Sequence, residues 1–175
     1  MEGEIHPSAA HAADGFAKVV SVIVGMLGVV LAIVSIASHR AHTAAVIYRG
    51  EANDKWSYFE AKKIREHVAD GIGRLAAIVA TKDDKQAQNL AQQLVADSAR
   101  YAKDSAKIEQ DATEREAASH REEIRALRLD VAEGFLELGL VLSSLYFLSR
   151  RRLFPALGGV AALAGVAIGI SNFWV

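Results

Sequence analysis

Uncharged apolar runs alternate with dense charge along this chain. Residues 19–38 and 153–175 carry no formal charge, and residues 131–149 carry only Glu133 and Glu137, near their start. An apolar helix of about twenty residues matches the roughly 30 Å hydrocarbon core of a bilayer. The pattern predicts an all-α membrane protein with transmembrane helices over residues 15–38, 131–149 and 153–175. Residues 1–14 are polar, contain Pro7 and show no periodicity, so they read as a tail. The first run is longer than a signal-peptide core and has an acidic flank, which predicts a retained helix.

Residues 39–130 read as one extramembrane insert made of helices. Between His39 and Ala80 there is no proline, and Ala, Lys, Arg and Glu keep helix propensity high. Ala61, Ile64, Val68, Ile72, Leu75 and Val79 recur in steps of three and four, marking one helix face. Residues 81–84, Thr-Lys-Asp-Asp, offer helix caps and interrupt that stripe, which places a turn there. A second stripe follows: Ala87, Ala91, Leu94, Ser98, Tyr101, Ser105, Ile108 and Ala112. Its strict three-four alternation is coiled-coil spacing, with seam residues small enough for a close partner. The two arms are nearly equal, so the insert reads as an antiparallel helical hairpin, a stalk of about 65 Å. Residues 150–152, Arg-Arg-Arg, form the tight turn before the last helix.

Charge narrows the partners. Residues 40–130 hold 16 Lys and Arg against 16 Asp and Glu, and the whole chain carries −1. A neutral, finely mixed surface is a poor binder of nucleic acid, which needs a basic excess. The chain has no cysteine, which excludes disulfides and thiolate chemistry. Short basic loops stay cytoplasmic, so Arg150, Arg151 and Arg152 place their loop and the N-terminus inside and the stalk outside. Arg40, Arg49, Arg121, Arg125 and Arg128 argue the other way, but long inserts translocate largely regardless of charge.

Candidate chemistry is sparse. Asp130, Glu133 and Glu137 lie a turn apart, with Glu137 about 10 Å past the start of the second apolar run. Ionisable groups inside a span are costly and often functional. They read as an ion or proton site or a buried oligomer contact; alternatively Asp130 and Glu133 are interfacial and Glu137 pairs with a neighbouring helix or reaches toward water. His39 and His42 share a face near the end of the first run, but no His-Glu-x-x-His or Glu-x-x-His pair supports a metal centre. Gly158, Ala162, Gly165 and Gly169 follow small-residue spacing for close helix packing. Asn172, Phe173 and Trp174 read as an interfacial anchor. Trp56, Tyr58 and Phe59 form an aromatic cluster that either packs on the returning arm near Ile108 or makes a contact patch. No nucleophile motif, phosphate-cradling loop or dinucleotide fingerprint occurs. No cofactor, metal or small-molecule substrate is expected.

The segment Asp54-Lys55-Trp56-Ser57-Tyr58-Phe59-Glu60-Ala61-Lys62 resembles a motif of an uncharacterised family of small bacterial membrane proteins, domain of unknown function four-three-three-seven. Leu129-Asp130-Val131-Ala132-Glu133 and Leu148-Ser149-Arg150-Arg151-Arg152 continue the resemblance in order. It implies a bacterial inner-membrane protein with three spans and a helical insert, makes Asp130 and Glu133 parts of a shared motif, and implies no activity. Together the readings predict a non-enzymatic membrane scaffold or accessory subunit, self-associating or part of a larger membrane complex. The alternative is a pore or transporter subunit with Glu137 or the glycine-rich third span lining the path.

Overall fold

In a computed structural model, the chain is described over residues 7–79 and 84–172, with side chains from Gly15 onward. Three helices account for these residues: α1 (Pro7–Val79), α2 (Lys85–Ser149) and α3 (Leu153–Ser171). No strand occurs among them. Helix α1 starts at Pro7, where proline's fixed φ suits a first helical turn, and so begins ahead of the apolar run. Gly50, Gly71 and Gly73 do not interrupt it. The predicted turn at 81–84 lies outside the described residues except for Asp84. Asp84 caps α2, its carboxylate accepting the Ala87 N–H at 3.0 Å. Of the predicted anchor, Phe173 and Trp174 also lie outside.

The chain divides into two compact units, Met1–Thr43 with Glu122–Val175, and Ala44–Arg121. In the first, parts of α1 and α2 pack with α3. Ala41, Ala126 and Leu129 form a buried cluster with Val34 and Ala37 against it. Phe16 meets Tyr146 edge to face at 5.0 Å between ring centroids. Large aliphatic side chains such as Met26, Val29 and Ile33 point outward, while Ala132, Gly158, Ala162 and Gly165 are buried. Burying small residues and exposing large apolar ones reverses the usual order in water. By length and composition, all three helices are apolar enough to cross a membrane.

In the second unit, α1 and α2 run antiparallel. Lys55 and Asp111 pair at 3.3 Å, Lys62 and Asp104 at 2.9 Å, and Glu51 and Arg115 at 2.9 Å. Each step forward on α1 is matched by an equal step back on α2. The Ser119 hydroxyl donates to the Ala45 carbonyl at 2.9 Å. The α2 stripe faces α1 as its spacing predicts, with Ala91, Ser105, Ile108 and Ala112 buried. The α1 stripe lies to one side of the seam, where Ile64, Val68 and Ile72 border an open groove with Leu94, Asp97 and Tyr101 of α2. The α1 surface that packs on α2 is built from Ala52, Lys62, Ala69 and Gly73, and Ile64, Val68, Ile72, Leu75 and Val79 remain exposed. Small side chains win the seam because they let the helices approach. A Cβ on Gly73 would already come within 3.3 Å of the Leu94 Cβ.

At the far end of α2, Arg150 takes a left-handed conformation, φ 55°. Its N–H donates to the Tyr146 carbonyl at 2.8 Å, closing the helix and turning the chain toward α3.

Candidate functional site: a carboxylate clamp near an exposed glutamate

Asp130 is where α2 grips α1 in the first unit. The Ser38 hydroxyl donates a short hydrogen bond to one oxygen of its carboxylate. The His42 Nε2 lies 2.9 Å from the other oxygen. Ser38 and His42 are four residues apart, so one helix face presents both to one carboxylate. Ser38 is buried, whereas the Asp130 and His42 side chains are about half exposed. The cluster sits next to the buried contact of Ala41 with Ala126 and Leu129. His39 turns elsewhere, its Nδ1 lying 2.8 Å from the Ser35 carbonyl.

Serine, histidine and aspartate are the residue types of a nucleophilic triad, but they are connected differently here. In a triad the imidazole stands between hydroxyl and carboxylate and takes the hydroxyl proton. Here the carboxylate stands in the middle and accepts from both. The arrangement suits a clamp between helices. Among the described residues, no group of three or more His, Asp or Glu side chains is placed to share a metal ion.

The other two carboxylates are held differently. Glu133 is half-buried and Glu137 is exposed, and neither makes a hydrogen bond or ion pair within the described residues. Glu137 lies about 10 Å along α2 from Asp130, one residue after the fully buried Leu136. Leu136 points into the bundle and Glu137 points out of it, among the exposed apolar side chains of Leu138 and Val141. The three acidic residues therefore form no single polar site.

The small-residue face of α3 is occupied by α2. A Cβ on Gly158 would lie 2.6 Å from the Gly139 carbonyl oxygen, and one on Gly165 would lie 2.8 Å from that of Ala132. Ala162 lies between them, 3.0 Å from a Cβ built on Gly139. Gly169 is looser, with 3.8 Å to the Ala132 Cβ. Gly139 and Ser143 on α2 complete this contact. Their small-x-x-x-small spacing was a sequence signal as legible as that of α3.

The aromatic cluster splits. Trp56 and Phe59 are half-buried and meet edge to face at 5.6 Å, while Tyr58 is exposed, with the Lys62 ammonium 5.6 Å from its ring centroid. In the first unit, Arg152 lies over the Phe16 ring at 5.0 Å, and Arg150 and Arg151 are exposed.

No curated protein and no solved structure matches the chain significantly. A family profile does, from residue 16 to residue 175. That range takes in Trp56, Asp130, Glu133 and the three arginines. The chain belongs to the family described as Domain of unknown function (DUF4337).

Proposed function

We propose that this protein is a non-enzymatic scaffold or accessory subunit of a bacterial inner membrane, self-associating through its membrane-spanning helices. Residues 15–38, 131–149 and 153–171 are read as the spans, and the charged hairpin between the first two as the part outside the bilayer. The run Arg150-Arg151-Arg152 supports a cytoplasmic loop and N-terminus, with the hairpin on the other side.

One observation carries the reading. Glu137 emerges on the outside of an apolar bundle, with no hydrogen-bond or ion-pair partner among the described residues. A carboxylate facing acyl chains is costly and normally pairs or faces a protein interior. A neighbouring subunit supplies that environment. The glycine face of α3 is already filled by α2, so Glu137 marks a different surface of the bundle.

The test is the oligomeric state in lipid nanodiscs, by native mass spectrometry. The wild type is expected as a discrete oligomer and Glu137→Leu as smaller species. A wild-type monomer, or a Glu137→Leu oligomer identical to wild type, removes the proposal. The same outward glutamate favours a second reading, a pore or transporter subunit whose copies gather Glu137 around a shared path. Reconstituted wild type conducting ions, with Glu137→Gln altering the current, would select it over the scaffold.

A further inference from the structure

We infer that the arginine turn between α2 and α3 binds the phosphate headgroup of an anionic phospholipid, chiefly through Arg150 and Arg151. The inference rests on the reading of these helices as membrane spans, and not on self-association. The side chains of Arg150, Arg151 and Arg152 are all exposed, and none has an ion-pair partner among the described residues. Arg152 is held over the Phe16 ring at 5.0 Å, which ties the turn to α1. Phe16 in turn meets Tyr146, one helical turn before Arg150. Lys18 adds an exposed cation half a turn further along α1. Residues 15–50 and 138–175 contain no Asp or Glu. Along α2 the nearest carboxylate is Glu137, about 20 Å before Arg150 by helical rise. The arginines at the other end of the same spans differ. There Arg125 pairs with Glu122, and Asp130 and Glu133 belong to the same stretch.

The residues on either side of the turn identify the ligand as a lipid. Leu148 is 85% exposed and Leu153 is 64% exposed, one before and one after the three arginines. A soluble phosphate would engage the cations and leave both leucines in water. A phospholipid satisfies both kinds of group, with its phosphate on the guanidiniums and its acyl chains beside the leucines. The planar guanidinium fork matches two oxygens of one phosphate, and a basic turn at the membrane surface is drawn to an anionic leaflet. Charge complementarity and apolar flanks thus point to one ligand, an amphiphile with an anionic phosphate head.

The test titrates phosphatidylglycerol or phosphatidylcholine onto the full chain in detergent micelles and counts bound lipids by native mass spectrometry. Both ends of the protein are open to lipid in a micelle, so a change of insertion cannot mimic a loss of binding. The wild type is expected to bind phosphatidylglycerol several-fold more tightly than phosphatidylcholine. Arg150→Gln with Arg151→Gln should weaken phosphatidylglycerol about five-fold for each charge removed and leave phosphatidylcholine unchanged. Arg40→Gln with Arg128→Gln removes the same charge at the other end and should change neither lipid. Equal wild-type affinities for the two lipids overturn the inference. So does an equal loss in both double variants, which would mean net charge alone. Glycerol phosphate, which lacks acyl chains, is expected to compete only weakly. Competition at the concentration of phosphatidylglycerol would make the ligand a soluble phosphate and also overturn the inference. The same spectra report the oligomeric state. A monomer that prefers phosphatidylglycerol removes self-association and upholds this inference, whereas an oligomer without the preference removes this inference alone.

Discussion

Gly158 meets Ser143 across the contact of α3 with α2, leaving no room for a side chain between them. A Cβ at Gly158 would come within 2.9 Å of the Ser143 backbone nitrogen and would overlap the Ser143 hydroxyl. The helices here touch backbone to backbone, which is how bundles gain dispersion contacts where burial from water provides little drive. The Ser143 hydroxyl is buried and has no hydrogen-bond partner among the described residues. Its size, rather than its polarity, fits the contact.

Gly158→Ala is therefore expected to destabilise the bundle by about 1–3 kcal/mol, as overpacking does. Gly159→Ala, where an added Cβ meets nothing within 4 Å, should cost almost nothing. Unfolding of both variants in micelles, followed by helical circular dichroism, separates them. Equal stabilities would show that the two helices part without cost.

Arg150 holds a conformation that non-glycine residues adopt at a penalty of roughly 1–2 kcal/mol. Arg150→Gly removes it while raising the conformational entropy of the unfolded chain. A net gain near 1 kcal/mol is expected. Arg151 and Arg152 remain to mark the loop. A fall in midpoint temperature would mean that the Arg150 side chain contributes more than its backbone costs.

Much of this architecture is legible in the sequence, because charge-free runs and three-four spacing are properties of the chain itself. The α2 stripe through Ala91, Ser105, Ile108 and Ala112 points to its seam correctly, since small residues admit a neighbour. The α1 stripe marks one helix face, as its spacing indicates, but that face lies beside the seam for the same reason. Ile64 and Leu75 are the more hydrophobic, but Ala69 and Gly73 permit closer approach and take the seam. Of the clamp, Asp130 is visible as a charge at the edge of an apolar run. His42 is visible as a polar residue near the end of the first run, but its match with Asp130, like that of Ser38, is not, because it depends on the register of two long helices. The outward direction of Glu137 is a matter of helix rotation against neighbours, which spacing along one helix does not give.

Asp130→Ala removes an acceptor shared by Ser38 and His42. Hydrogen bonds at a half-exposed carboxylate contribute about 1 kcal/mol each, so a loss of about 1–2 kcal/mol is expected. Asp130→Asn retains one good acceptor and should fall between. Glu133→Gln, at a side chain with no partner among the described residues, is the control. Denaturant midpoints in micelles measure the order; an Asp130→Ala midpoint no lower than that of Glu133→Gln would refute the clamp.

The pair Lys62–Asp104 makes a prediction about pH. The Asp104 carboxyl lies below the usual carboxylate range, chiefly because the Lys62 ammonium donates to it. The Lys62 ammonium lies above the usual lysine range, chiefly through the same bond. The lowered carboxyl contributes stability above its unfolded pKa and loses it as pH falls through the folded value. The raised ammonium contributes fully below its unfolded pKa and loses it as pH rises through its folded value. The pair is therefore intact across neutral pH and fails at both extremes. Lys62→Met keeps the aliphatic stem between Tyr58 and Tyr101 and removes only the charge. Its midpoint temperature should lie below wild type by a constant amount through the neutral range. The gap should close at acid pH, below the ordinary carboxylate range, and at alkaline pH, above the ordinary lysine range. A gap that widens on acidification would show that Asp104 is stabilised in its protonated form, contrary to the geometry of the pair.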